Sequence, residues 1–240
     1  MKLYKVLQSQ GFGVRKTCIA RIRAGEVEID GVVIDDPELN VEPAGLELTL
    51  DGVTWTFRDQ AYVVLHKPAG YECSHRPSHH PSVFSLLPPQ LLQRGVQCVG
   101  RLDQDTTGLL LFSDDGQFIH RMISPKKGVA KVYRAVCAEP LGDDMLNVLR
   151  AGVQLNDEPA PIAALACEAI DRHTLRLVLS EGKYHQVKRM IAAAGNKVDA
   201  LHREAIGDFR LPETLAPGAW RWLNGAELKQ LERAWPSVMS

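Results

Sequence analysis

Val99-Gly100-Arg101-Leu102-Asp103-Gln104-Asp105-Thr106-Thr107-Gly108 runs without a break into Leu109-Leu110-Leu111-Phe112. Four large apolar residues in a row after a glycine read as a buried strand, and a polar loop that feeds such a strand is where folds display reactive groups. Asp103 is then a carboxylate held beside a core. On this loop alone the simpler reading is that Asp103 or Asp105 closes a turn on backbone N–H groups, as Asp does in most loops. The rest of the chain has to decide between the two.

Upstream of this loop, Tyr62-Val63-Val64-Leu65 predicts a short strand running into His66-Lys67-Pro68-Ala69-Gly70, where Pro68 and Gly70 mark a tight turn with Lys67 at its entrance. The polar segment from Ser74 to Ser82 follows and carries His75, His79 and His80. No Cys, Asp or Glu stands at ligand spacing from these histidines, so an exposed, mobile loop is expected there and no metal site. Downstream, Asp114-Asp115-Gly116 turns the chain into a predicted helix over 117–124, and Lys126 and Lys127 add positive charge. Over 131–137 the pattern alternates, with Tyr133 on the same face as Lys131, Ala135 and Cys137. Leu175, Leu177 and Leu179 mark a further strand. From Lys183 the spacing reads as helical, with Val187, Met190, Ile191 and Ala194 as the buried stripe and Gly195 as the stop. On that reading Tyr184 and Lys188, four apart, share a face. The chain closes with a strand around 198–202, a Pro217-Gly218 turn, a strand at Trp220-Arg221-Trp222-Leu223 and a helix opened by Asn224. Many strands with few helices between them point to an α+β fold with a mixed, mainly antiparallel sheet.

The first sixty residues are of a different kind. Leu3, Val6 and Leu7, then Cys18, Ile19 and Ile22 beyond the Gly11-Phe12-Gly13 break, predict two short helices ending at Gly25, and Asp30-Gly31 and Asp51-Gly52 each predict a hairpin. Residues 1–25 carry Lys2, Lys5, Arg15, Lys16, Arg21 and Arg23 with no acidic residue, a local charge of +6, whereas 35–59 carry a local charge of −6. The overall charge of −1 hides this asymmetry, which suggests two units with different tasks. Arg15, Lys16, Arg21 and Arg23, at the two ends of the second helix, are candidates to meet phosphates along a nucleic-acid backbone. A solvated helix face is the alternative, but solvated helices usually interleave both signs and this one has no compensating Glu.

With 240 residues, 45% of them hydrophobic, the chain can bury one large or two unequal domains. It has no run of eighteen apolar residues and no apolar signal-peptide core, so a cytoplasmic protein without a membrane partner is expected. Five cysteines, Cys18, Cys73, Cys98, Cys137 and Cys167, lie far apart without a CxxC pair; they suggest neither zinc nor a disulfide framework, and are expected to be reduced and partly buried. No phosphate-cradling glycine loop, internal repeat or Ser-His-Asp arrangement is present.

Four motifs in one order carry a family resemblance. They are Lys67-Pro68-Ala69-Gly70-Tyr71, Gly100-Arg101-Leu102-Asp103-Gln104-Asp105-Thr106-Thr107-Gly108-Leu109, Lys131-Val132-Tyr133, and Glu181-Gly182-Lys183-Tyr184-His185-Gln186-Val187-Lys188-Arg189-Met190. Together the chain resembles the RsuA family of RNA pseudouridine synthases over nearly its whole length. Residues 1–58 resemble the small αL RNA-binding module named after a protein of the small ribosomal subunit, leaving 59–240 as the catalytic domain. The resemblance implies a mixed sheet with a central catalytic cleft. It implies Asp103 as the catalytic carboxylate, Tyr133 as the ring that stacks on the target base, Lys188 as the cation paired with Asp103, and Arg101 as a holder of the extruded nucleotide or of the gap it leaves. Lys67 and Pro68 match a motif that supports the active-site loops. Val132 stands where the family usually has Thr.

Pseudouridine formation breaks the C1′–N1 bond of a uridine, turns the uracil and joins C5 to C1′. Nothing is oxidised and no group leaves, so no cofactor and no metal is expected. The step needs a carboxylate as nucleophile, base or stabiliser of a cationic sugar. The resemblance further implies a monomer acting on ribosomal RNA or a small-subunit assembly intermediate, with uridine 516 of 16S RNA as the expected target. The sequence around Tyr184–Met190 and the absence of a long basic tail before Ser240 favour the small subunit. Large-subunit RNA as substrate, or a non-catalytic RNA-binding assembly factor, are the alternatives.

Overall fold

Asp30-Gly31 and Asp51-Gly52 both adopt left-handed backbone, with φ of 52° and 75° at the first turn and 53° and 73° at the second. Two successive positive φ angles match the twist of the flanking strands, which is why Asp-Gly closes two-residue hairpins. In the computed structural model, which describes residues 1–233, these turns build a four-stranded antiparallel sheet of β1 (Val27–Ile29), β2 (Val32–Ile34), β3 (Glu47–Leu50) and β4 (Val53–Thr56), in the order β2-β1-β3-β4. α1 (Leu3–Ser9) and α2 (Arg15–Arg23) precede it. Leu3, Val6, Leu7, Cys18 and Ile22 are fully buried, so the helical spacing is realised.

This unit comprises 1–61 together with 87–97 and 113–115. The expected single cut after residue 58 therefore does not describe it. Arg94, next to the short α3 (Pro89–Gln93), donates to the carbonyls of Arg58 and Asp59 and pairs with Asp114 at 2.8 Å. Buried Gln10 takes Trp55 Nε1, the Arg58 N–H and Arg94 on its side-chain oxygen and donates to Arg58 O. These bonds are between residues distant in sequence, and no local pattern announces them.

The second unit holds 62–86, 98–112 and the chain from 116 onward. Its sheet is built from β5 (Tyr62–Lys67), β6 (Gln97–Cys98), β7 (Thr107–Ser113), β8 (Lys131–Cys137), β9 (Ala166–Ala169), β10 (Thr174–Leu179), β11 (Val198–Ile206), β12 (Phe209–Arg210) and β13 (Trp220–Trp222). The order is β13-β5-β7-β11-β8-β10-β9, with β6 beside β7 and β12 beside β11. β7 and β11 are parallel; β13 with β5, β11 with β8, β8 with β10 and β10 with β9 are antiparallel. The sheet is thus mixed and mainly antiparallel, as its strand patterns imply.

Leu109, Leu110, Leu111 and Phe112 of β7 are all fully buried, which explains the unbroken apolar run; each such side chain contributes roughly 1.5–3 kcal/mol by leaving water. On one face Leu109 and Leu111 pack with Val64, Ile206, Phe209, and Phe118 and Met122 of α4 (Gly116–Ile123). α5 (Asp143–Ala151), α6 (Gln186–Ala193) and α7 (Gly225–Leu231) complete the described chain. Asn224 caps α7 in a capping box with Glu227. Residues 234–240 of the expected catalytic domain lie outside the described residues. No helix among those described is long and apolar enough to cross a membrane.

Candidate functional site

The loop before β7 is held from behind. The Thr106 N–H donates to Asp103 O at 3.1 Å, closing a turn over 103–106. Lys67, at the end of β5 and fully buried, donates its ammonium to the carbonyls of Pro68 (3.1 Å), Gln104 (3.0 Å) and Thr106 (2.9 Å). The Gly70 N–H donates to Gln104 O at 2.9 Å. Burial pushes the Lys67 ammonium below its ordinary pKa, against the opposing pull of Cys73, Asp105 and Asp103. Lys67 is therefore more than the entrance of a turn: it is the post on which the 103–107 loop is hung.

Asp103 closes the turn with its backbone carbonyl, which leaves its carboxylate for other work. That carboxylate is about one quarter exposed, with Oδ1 3.4 Å from His185 Nε2 and Oδ2 3.4 Å from Lys188 Nζ. Lys188 hydrogen-bonds more closely to Asp105, at 2.7 and 2.9 Å. The cation thus bridges two carboxylates instead of pairing with Asp103 alone. Burial acts to lower the pKa of Lys188, but the hydrogen bond it donates to Asp105 and the charge of Asp103 outweigh it and raise the pKa. At Asp105 burial acts upward and Lys188 reverses it, leaving the carboxyl below its usual range.

The stretch 183–185 is not helical. α6 begins at Gln186 because the Gln186 side chain accepts the Lys183 N–H at 2.8 Å and His185 is left-handed, with φ of 48°. Tyr184 and Lys188 consequently do not share a helical face; Tyr184 is exposed and stacks on His185, ring centres 3.8 Å apart. The cationic helix start is also internally paired. Lys183 contacts Glu158 and Glu181, and Arg189 contacts Asp157 at 3.4 Å. A left-handed non-glycine residue is strained by about 1–2 kcal/mol, and here the strain points the imidazole at Asp103.

Two hollows share Asp103 in their walls. A small recess of about 60 Å³ is lined by Asp103, Tyr133 and Thr106, and a cleft of about 690 Å³ is lined by Asp103, Arg101 and Tyr184. The cleft falls within the roughly 300–1,000 Å³ typical of ligand sites, and the recess alone does not. Tyr133 of β8 is largely buried, opposite Leu177 and Arg203 in the sheet, and forms the recess wall. Thr106 was not singled out by its sequence, yet its buried hydroxyl has no partner among the described residues. Asp103, Tyr133, Lys188 and Arg101 are thus brought to one place. No group of His, Cys, Asp and Glu among the described residues is arranged to hold a metal.

Other expectations need correction. The 74–82 loop is organised: the Glu72 carboxylate accepts the N–H groups of Ser78, His79 and His80, which hold its pKa down at about 2. In the N-terminal unit Arg21 is engaged by Glu26 and Asp51, both at 2.6 Å, so the second helix is not without compensation. Arg15, Lys16 and Arg23 are exposed, with the Arg15 guanidinium 5.0 Å from the centre of the Tyr4 ring.

The sequence profile of the RNA pseudouridylate synthase family matches residues 61–193. The chain is 41% identical over 230 residues to ribosomal small subunit pseudouridine synthase A of Yersinia pestis, covering 95% of this chain and 97% of that protein. It is 38% identical over 230 residues to the protein of the same description from Escherichia coli K12, covering 95% and 98%. A crystal structure described as a pseudouridylate synthase superposes with a TM-score of 0.68 at 34% identity, covering 96% of this chain and 99% of that one.

Proposed function

The chain belongs to the RNA pseudouridylate synthase family, in its RsuA group, and from that premise we propose that it converts one uridine of small-subunit ribosomal RNA to pseudouridine, with uridine 516 of 16S RNA as the target. The observation that carries the reading is the position of Asp103, a partly exposed carboxylate at the junction of the Tyr133 recess and the larger cleft. Family membership removes the non-catalytic assembly factor as an alternative. Small-subunit RNA is favoured because the relatives that match over 95% of the chain carry that substrate in their names.

In this reading the target uridine leaves its stack, at a cost of a few kcal/mol, and the uracil enters against Tyr133. Stacking of one base on an aromatic ring contributes roughly 1–3 kcal/mol, which offsets much of that cost. Asp103 then faces the glycosidic bond and acts as nucleophile, base or stabiliser while C1′–N1 breaks and C1′–C5 forms. Lys188 and His185 fix the orientation of the carboxylate. The unpartnered Thr106 hydroxyl offers a hydrogen bond to a polar edge of the base. Arg101, exposed on the cleft wall, holds the nucleotide from the outer side. Arg15, Lys16 and Arg23 contact the RNA backbone. All the chemistry comes from side chains of a cytoplasmic, monomeric protein.

The test is to incubate ribosomal RNA with the wild type and with Asp103→Asn and map pseudouridine in both subunits' RNA. The wild type modifies one small-subunit uridine. Asp103→Asn gives no product while retaining its melting temperature, because the carboxylate's contacts are long, partly exposed and worth at most about 1 kcal/mol. Product confined to large-subunit RNA would reassign the substrate, and equal product from both proteins would remove Asp103 from the reaction.

A further inference from the structure

The sequence separates Cys73 from Cys98, but the fold joins them. Cys73 lies just beyond the Lys67–Gly70 turn and Cys98 ends β6, immediately before the 99–108 loop. The Cys98 thiol hydrogen-bonds to the Cys73 sulfur, and the Leu102 N–H, one residue from Asp103, points at the same sulfur at 3.5 Å. Both cysteines are partly exposed and border the 690 Å³ cleft. The other three cysteines, Cys18, Cys137 and Cys167, are buried.

We propose that Cys73 and Cys98 form an oxidative modification site: hydrogen peroxide converts the pair to a disulfide that ties the 72–74 segment to the catalytic loop and shuts off the reaction, and a small-molecule dithiol restores it. The surroundings support the order of events. The Cys98 hydrogen bond outweighs burial and lowers the pKa of Cys73, assisted by the Leu102 N–H and the charges of Lys67 and Arg203. Cys98 is held in the thiol form by the same hydrogen bond and by burial. Burial pushes the thiols of Cys137 and Cys167 up to about 11, so they stay unreactive. A stabilised, accessible thiolate is the sulfur that attacks first.

The balance is complete with peroxide as the sole oxidant. The Cys73 thiolate attacks one peroxide oxygen, the O–O bond breaks, and with one proton taken up the products are the Cys73 sulfenic acid and water. Cys98 then attacks the sulfenyl sulfur, the S–O bond breaks and a second water leaves carrying the Cys98 proton. Two thiol sulfurs are oxidised and one peroxide is reduced to two waters. Closure draws the sulfurs to about 2.05 Å, tighter than any hydrogen-bonded contact, and so displaces the Leu102–Asp103 backbone. A displacement of about 1 Å at a catalytic group can lower a rate by about 10²-fold.

Full-length protein is treated with graded hydrogen peroxide, trapped with N-ethylmaleimide, digested and analysed by mass spectrometry, with pseudouridine formation on ribosomal RNA measured in parallel. The expected result is a Cys73–Cys98 linked peptide, Cys18, Cys137 and Cys167 recovered as thiols, and a rate that falls at least about tenfold in step with the linked peptide and returns with dithiothreitol. Cys73→Ser and Cys98→Ser are each compared with their own untreated rate, and in both the ratio stays within about twofold, so either variant suffices if the other folds poorly. Cys73 oxidised without a link to Cys98, no oxidation of either at millimolar peroxide, or a linked protein of undiminished rate overturns the proposal. The peptide readout is independent of the substrate assigned above.

Discussion

Lys188 is the residue on which the site's charge balance turns. It sits between Asp103 and Asp105, with its shorter bonds to Asp105. If its task is to hold Asp103, Lys188→Gln leaves the carboxylate misoriented and lowers the single-turnover rate by about 10²-fold. Lys188→Arg restores most of the loss, and Asp105→Asn, which frees the cation for Asp103, costs less than about tenfold. An Asp105→Asn rate as low as that of Lys188→Gln would make Asp105 the functional partner. At this scale the sequence is legible where residue type and order match a family motif: Asp103 and Arg101 line both hollows, Tyr133 lines the recess, and Lys188 stands 3.4 Å from Asp103. It was not legible where backbone geometry decides. Nothing in Lys183-Tyr184-His185 announces a left-handed histidine, so the spacing reads as helical there and gives Tyr184 a face it does not have. The compensation of Arg21 by Glu26 and Asp51 was hidden likewise, because Asp51 is thirty positions away.

Among the elements, the parallel pair β7/β11 explains why the 99–108 loop ends in glycine. Gly108 lies opposite Arg203, has φ of 107°, and a Cβ there would stand 2.4 Å from the Arg203 carbonyl oxygen and 2.7 Å from its nitrogen. Both obstacles are backbone, which cannot swing aside. Gly108→Ala therefore forces β7 away from β11 and destabilises the protein by about 2–4 kcal/mol, read as a fall in the urea midpoint with an unchanged slope. A midpoint within error of the wild type would mean that the two strands approach less closely than described. The apolar run and the alternating strands were legible because burial on both faces and on one face write different patterns. The strand pattern carries β11 only as far as His202, although it reaches Ile206, since register shifts between Val198 and Ala200 and between Arg203 and Ala205 break the two-residue period. Lys67 was placed correctly but its burial was not foreseen; a lysine satisfied by three carbonyls looks, in sequence, like any other lysine before a turn.

Over the whole molecule, charge acts through pH and through salt. His202 in β11 is pushed down to about 4 from its ordinary 6.5, first by burial and then by Arg134 and His66, against the weaker pull of Glu204. Below 6.5 the unfolded chain binds a proton that the folded one refuses, so stability is lost as pH falls from 6.5 toward 4. Glu72, held near 2 in the folded protein, begins to cost stability only once the pH falls to its ordinary value of 4.5, the lower edge of the range measured. The melting temperature of the wild type is expected to fall between pH 6.5 and 4.5, and that of His202→Gln to fall less; parallel curves would remove His202 as the cause. Salt tests the N-terminal unit. Each phosphate contact adds roughly 0.7–0.9 to the slope of log affinity against log salt, so changing Arg15, Lys16 and Arg23 together to Ala should flatten the slope for ribosomal RNA by about 2 to 3. Arg21→Ala breaks two ion pairs internal to the unit and should lower its thermal stability while leaving the slope unchanged. A slope that responds to Arg21 and not to the other three would mean that the ion pairs open on binding and that RNA, not Glu26 and Asp51, is the partner Arg21 is kept for.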